Sequence, residues 1–328
     1  MTKPRRFPLG PAARAGRALI AAALAMGAAG GLAVAAAPPS VAASAPTTLR
    51  VEADTSISTF NPFLAYFNGE LNVLGNIYPT LTTIDQQGKP APYLATSWSV
   101  SPNKLTWTFK IRSGLKWSDG TPLTAADAAW TFNLIMKNKV AATANGSLVA
   151  NFASVTAPNA TTLVITTKTP ESNMLYISVP ITGIPIVPEH IWASKVSSLS
   201  SFKNMSFPVV GYGPWVLTGY VPNQYTTLTA NKSFFMGAPK FSKLIIQYFT
   251  NTDAAVAALR SGQLDQIDTL TATEYQSLKS VKNIQLSAQA SNGWTGIELN
   301  PGAQTRSGKH FGNGNPALTD PRVRQAIA

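Results

Sequence analysis

The segment 105–136 restricts the fold more than any other part of this sequence. Leu105, Trp107, Phe109 and Ile111 alternate with Thr106, Thr108, Lys110 and Arg112. That two-residue period predicts a strand with one buried face. Asn103-Lys104 predicts a turn before it, and Ser118-Asp119-Gly120-Thr121-Pro122 a turn after it. Thr124 is then placed to cap a helix, with Asp127 three residues on as the acid of a capping box. Ala129, Phe132 and Met136 fall on one face of that helix, with Ala125 and Ala128 beside them. A half-buried strand followed closely by a one-faced helix predicts a mixed α/β domain. Leu49 and Val51 begin another strand, and further strands are expected at 161–167, 225–230 and 243–249. Thr252 is expected to cap a second helix running through Arg260 and stopped by Gly262.

Composition narrows the function. The chain has 328 residues and no cysteine, which excludes disulfides, thiolate metal ligands, a cysteine nucleophile and a lipid-modified N-terminal cysteine. With two histidines, a His-rich metal site is excluded. Charged residues make up 12%, against roughly 25% in ordinary globular chains, a balance that suits a secreted protein. The net charge of +12 falls to +7 once Lys3, Arg5, Arg6, Arg14 and Arg17 are set aside. The remaining cations are scattered, with no basic stripe between aromatics, so nucleic acid is not an expected partner.

Those five cations precede residues 18–37, an uncharged run of 11 Ala, 3 Gly and 6 larger apolar residues. This order predicts a signal peptide over 1–43, cut between Ala43 and Ser44, and then a linker over 44–48. The rival is an uncleaved membrane anchor, for which the run is long enough but weakly apolar. Arg5-Arg6-Phe7-Pro8-Leu9 hints at twin-arginine export, though Pro8 interrupts the usual apolar pair.

No catalytic or metal constellation stands out. His190 follows Pro188-Glu189 and is read as a surface or capping histidine, not a general base. His310 lies in a Gly/Asn-rich loop. Asp265 and Asp268, three apart near a helix end, are read as a solvated pair. No serine sits in a Gly-x-Ser-x-Gly elbow. The chain is therefore expected to be non-enzymatic and to carry no cofactor.

A series of segments does stand out. In order they are Asn76-Ile77-Tyr78-Pro79-Thr80-Leu81, Tyr93-Leu94-Ala95-Thr96-Ser97-Trp98, Thr106-Trp107-Thr108-Phe109-Lys110-Ile111-Arg112, and Trp117-Ser118-Asp119-Gly120-Thr121-Pro122-Leu123-Thr124-Ala125-Ala126-Asp127. Val210-Gly211-Tyr212-Gly213-Pro214-Trp215, Ala258-Leu259-Arg260-Ser261-Gly262-Gln263-Leu264-Asp265 and Asp320-Pro321-Arg322-Val323-Arg324-Gln325-Ala326 follow. Together they closely resemble the family 5 extracellular solute-binding proteins of ABC importers, the dipeptide, oligopeptide and nickel binders. Tyr212 stands where that family carries a threonine. Trp98, Trp107, Trp117 and Trp130 are read as core and not as ligand platform.

The resemblance implies an α/β fold of the periplasmic-binding-protein type II kind. Two lobes close on a ligand, and mainly the first is expected here. Lobe I is expected over 49–285 with a subdomain inserted at about 80–185. The crossover and the start of a truncated lobe II would occupy 286–328, with a strand over 294–300. The implied partners are a small solute, a peptide first and an oligosaccharide or metal chelate second, and the membrane subunits of an ABC permease. An exported enzyme and a sensory or adhesion module are the competing classes. The implied location is the periplasm or cell exterior, without a cysteine-linked lipid. The cleft is expected to be lined by Thr59, Phe60, Asn61, Tyr66, Tyr212 and Trp294, because loops beyond strand ends form the crevice in such sheets.

Overall fold

The computed structural model describes residues 47–53, 57–288, 299–300, 302–304 and 307–327. The expected signal peptide, its cleavage point, most of the crossover near 286–293 and most of the 294–300 strand, Trp294 included, lie outside them. Ten strands form the bulk of the fold. They are β1 (Thr48–Ala53), β2 (Thr82–Ile84), β3 (Pro90–Pro92), β4 (Ala95–Val100), β5 (Thr106–Ile111), β6 (Phe152–Asn159), β7 (Thr162–Thr167), β8 (Trp215–Val221), β9 (Tyr225–Ala230) and β10 (Lys243–Tyr248). The helices are α1 (Asn68–Ile77), α2 (Ala125–Lys137), α3 (Ala142–Asn145), α4 (Glu189–Trp192), α5 (Thr252–Arg260), α6 (Ala272–Leu278) and α7 (Pro321–Ile327).

Two four-stranded sheets organise these elements. One has the order β1-β10-β9-β8, and the other β4-β5-β7-β6. The second comes wholly from chain lying between β1 and β8 in sequence. In the first, β1 runs parallel to β10, while β10, β9 and β8 are antiparallel neighbours. Leu244, Leu228 and Leu217 oppose one another across three strands and are all buried. On its other edge β1 meets 265–266: the amides of Asp265 and Gln266 donate to the Arg50 carbonyl, and the Glu52 amide donates to the Gln266 carbonyl. This places three segments with the same direction side by side, with Asp265 held by Arg50.

The second sheet follows the alternation in 105–112. Phe109 and Ile111 are buried, Lys110 is exposed, and Phe109 opposes Leu163 on β7. Helix α2 covers the sheet through Ala125, Ala128, Phe132 and Ile135, and the Phe132 ring meets Phe152 edge-on at 5.8 Å. Its cap is the expected one. The Thr124 hydroxyl accepts from the Ala126 amide at 3.2 Å, and Asp127 Oδ2 accepts from the Thr124 amide at 2.9 Å. Gly120 in the preceding turn has φ +89°, a conformation that costs glycine little. Trp117 is fully buried, and Trp98, Trp107 and Trp130 pack against the core, as expected. A single apolar core runs beneath both sheets.

One expectation is corrected, and one helix is added. Asn251, not Thr252, caps α5: its Oδ1 accepts from the Ala254 amide at 2.8 Å. Thr252 is the first helical residue instead. Helix α1 had no signal, because Asn68, Gly69, Gly75 and Asn76 are poor helix formers. Tertiary contacts hold it. A Cβ on Gly75 would lie 3.2 Å from Ile181 Cγ1, so the helix packs closely there. At its C-terminal end the amides of Tyr212 and Gly213 both donate to the Ile77 carbonyl at 2.9 Å. A Cβ on Gly211 would fall 2.3 Å from Ile77 O, and one on Gly213 2.0 Å from Asn76 O. The Gly211-Tyr212-Gly213 motif is thus the seat of α1, flush against its last turn.

Candidate functional site: a hollow at the strand ends

The polypeptide leaves β1 through the loop 57–67 and enters α1. It leaves β10 and enters α5. Along one face of these two parallel strands, from Leu49 and Leu244 to the carboxyl end of β1 at Ala53 and the start of α5 at Thr252, lies a hollow of about 670 Å³. Its floor is apolar, made by Leu49, Val51, Leu244 and Ile246 of the sheet, with Trp215. Its wall is α1, which contributes Asn68, Asn72 and Asn76. Their four-residue spacing stacks three amides on one helix face. Thr252 at the start of α5, then Gln266, Asp268 and Thr269, complete the rim. Among the described residues the lining holds two carboxylates, Glu52 and Asp268, and no lysine or arginine. Asp268 Oδ1 accepts from Gln266 Nε2 at 2.6 Å. The geometry therefore suits a neutral or cationic solute that presents apolar surface to the floor and hydrogen-bonding groups to the amides. A second recess, beneath Tyr220, is about 10 Å³, room for one water at most.

The sequence-derived residues divide into three groups. Thr59, Phe60 and Asn61 lie together at the root of the 57–67 loop and are buried. Phe60 is fully buried, with its ring edge-on to Tyr220 at 5.3 Å and Phe207 at 6.1 Å. Asn61 Nδ2 donates to the carbonyls of Leu199 and Phe202 at 3.0 and 2.8 Å, while its Oδ1 accepts from the Phe63 amide at 3.0 Å. The Thr59 hydroxyl accepts from the Asn61 amide at 3.0 Å. These three residues pin the loop to the core and present no open face to a cleft. Tyr66, at the other end of the loop, is 75% exposed and stands two residues before Asn68 of the hollow. Tyr212 is buried. It stacks nearly parallel on Phe235, with ring centres 6.3 Å apart, and its hydroxyl donates to the Ser233 carbonyl at 3.2 Å. Burial raises its hydroxyl pKa above the ordinary value. It belongs to a cluster with Tyr93, Phe234 and Arg112, not to the hollow.

Away from the hollow, His190 Nε2 sits 2.6 Å from Asp119 Oδ2 and ties α4 to the turn at 118–122. Burial would raise the Asp119 carboxyl, but bonds from His190 and Thr121 outweigh it and hold the group below its usual value. Asp127 behaves oppositely. Its burial raises the carboxyl despite backbone donors at Thr124 and Glu189. Both aspartates are thereby structural. Among the described residues no group of three His, Asp or Glu side chains could hold a metal ion. The three-asparagine wall was the signal sequence reasoning missed: Asn68, Asn72 and Asn76 repeat at helical spacing, but only once α1 is recognised as a helix.

The mixed α/β fold is of the kind found in extracellular solute-binding proteins. Residues 89–328 match the family model for bacterial extracellular solute-binding proteins, family 5, and the chain belongs to that family. A Brucella ovis protein named for peptide binding in an ABC transporter is 36% identical over 209 residues, covering 63% of this chain and 36% of that protein. The nickel-binding periplasmic protein of Escherichia coli is 26% identical over 210 residues, covering 64% of this chain and 39% of the relative. The chain thus spans well under half the length of these relatives. Among solved structures, MoaA of A. tumefaciens R10, bound to mannopinic acid, superposes with a TM-score of 0.63 at 28% identity, covering 72% of this chain and 48% of that one. The oligopeptide-binding protein AppA of Bacillus subtilis, holding a nonapeptide, gives 0.65 at 22% identity, with coverage of 73% and 47%, a likeness of fold. The family is one of solute-binding receptors outside the cytoplasm, and among the described residues no helix is long and apolar enough to cross a membrane.

Proposed function

We propose that this chain is the first lobe of an exported receptor that delivers peptides or related small solutes to the membrane subunits of an ABC importer. The observation that carries this reading is the hollow along the face of β1 and β10, reaching the carboxyl end of β1, with its apolar floor and its wall of three asparagine amides. A peptide presents alternating amide groups and apolar side chains, which match that wall and floor. Tyr66, exposed two residues before Asn68 of that wall, is proposed to meet the solute. Thr59, Phe60 and Asn61 act by fixing the loop that carries Tyr66, and Trp294 is proposed to face the same cleft from beyond the crossover. Lobe I extends over 49–285 in this reading, and 286–328 leads into a second lobe. The protein is exported by its N-terminal segment and performs no reaction on the solute. Isothermal titration of the full chain against tripeptides, oligosaccharides and the nickel–histidine chelate tests this. Saturable binding of a peptide is expected. Binding of the sugar or the chelate alone would replace the peptide assignment, and turnover of any ligand would overturn the receptor reading.

A further inference from the structure

Glu70 is 1% exposed, yet among the described residues it has no basic partner. Its carboxylate is satisfied by the loop. Oε1 accepts from the Ser58 amide at 3.0 Å and the Ser58 hydroxyl at 2.7 Å. Oε2 accepts from the Tyr66 amide at 3.0 Å and the Phe67 amide at 3.4 Å. One side chain therefore closes the loop 58–67 on itself and anchors it to the first turn of α1, where a carboxylate is also favoured by the helix dipole. The residues it fixes most directly carry the most exposed rings nearby: Tyr66 at 75% and Phe67 at 56%. A mobile aromatic tip would fold back onto apolar surface. Here the backbone beneath the rings is held while the rings face water, directly before Asn68 of the hollow.

Resting on the receptor reading above, we propose that Glu70 is a positioning residue for Tyr66 and Phe67, and that this pair is the contact for an aromatic or large apolar side chain of the solute. The occupant follows from charge and shape. The described lining of the adjoining hollow carries two carboxylates, Glu52 and Asp268, which favours a neutral or cationic solute over an anionic one. Two exposed flat rings on the residues directly before Asn68 of that hollow favour a flat group over a small aliphatic one.

The test uses the full chain and two probes, the tripeptides Ala-Phe-Ala and Ala-Ala-Ala, titrated by calorimetry. Ala-Phe-Ala should bind about tenfold more tightly. Tyr66→Ala combined with Phe67→Ala should abolish that preference. Glu70→Gln turns an amide NH₂ toward backbone donors and should weaken Ala-Phe-Ala by up to about tenfold, the size of the ring preference. In the background lacking both rings, Glu70→Gln should cost no further affinity, although it still lowers the unfolding midpoint. A purely structural Glu70 would reduce affinity equally in both backgrounds, and that result overturns the proposal. If Glu70→Gln fails to fold, Ser58→Ala removes one bond to the same carboxylate, and the same non-additivity is expected at smaller size. Equal binding of both tripeptides overturns the aromatic contact alone. Failure of both to bind the unmodified chain overturns it together with the peptide reading.

Discussion

Replacing Gly213 by alanine tests the packing of α1 on the Gly211-Tyr212-Gly213 motif. An alanine Cβ there would lie 2.0 Å from Asn76 O, 2.6 Å from its carbonyl carbon and 2.8 Å from Ile77 Cα. All three are backbone atoms of the last turn of α1, so no side-chain rotation relieves the clash. The motif must lift away from the helix. That motion stretches the bonds from the Tyr212 and Gly213 amides to the Ile77 carbonyl. Overpacking of this kind costs about 1–3 kcal/mol, and loss of one such bond about 1 kcal/mol more. The expected loss is about 2–4 kcal/mol. Gly219 is the control: its nearest neighbour to a new Cβ is Thr227 Cβ at 3.9 Å, ordinary contact. Gly219→Ala should be neutral or stabilise by about 0.4–1 kcal/mol, because alanine restricts the unfolded chain. Urea unfolding followed by tryptophan fluorescence reads both variants. A Gly213→Ala protein within about 1 kcal/mol of the parent would refute the close-approach account.

Phe60→Ala should cost about 3–5 kcal/mol, whereas Tyr66→Ala should stay within about 0.5 kcal/mol, since one ring is core and the other faces water; the same unfolding assay separates them. Thr124→Ala should cost about 1 kcal/mol through loss of the α2 cap, read as a shift in urea midpoint at unchanged slope. Asp119→Asn addresses pH. The folded carboxyl lies below the ordinary 3.8, so its contribution is complete above that value and is lost as pH falls through the lower folded one. The variant should be less stable than the parent at neutral pH, by under about 1 kcal/mol for so exposed a pair, and the gap should close in acid. The raised Asp127 works in the opposite sense over the same range, so the difference between the two unfolding curves is the quantity to measure. A gap that widens below pH 4 would reverse the assigned sign.

Strands β5 and β7 of the second sheet and helix α2 were legible because they follow local rules, period two through Ile111, a turn glycine at Gly120 and a capping box at Thr124, whereas β4 and β6 gave no such signal. The family motifs were legible too, but most of them turned out to serve packing. The two glycines around Tyr212 seat α1, and Asp119 holds His190. The hollow was not legible. It is assembled from β1, α1, the start of α5 and 266–269, which are distant in sequence, and α1 hides behind weak helix formers held only by tertiary contact. Loop position alone suggested that Phe60 and Asn61 face a ligand. In the structure Asn61 donates to carbonyls at 199 and 202 and Phe60 packs against Tyr220 and Phe207. Glu70 gave no signal either. A lone acid at the third position of an unrecognised helix reads as surface charge until the four donors around it are seen.

Hydrogen exchange of the full chain, with and without saturating Ala-Phe-Ala, tests the receptor account most directly. Bound peptide should slow exchange in 66–77 and 249–269, the two stretches that wall and rim the hollow, and leave the β4-β5-β7-β6 sheet unchanged. Protection confined to that second sheet, or no change in 66–77 at saturation, would contradict the placement of the solute site.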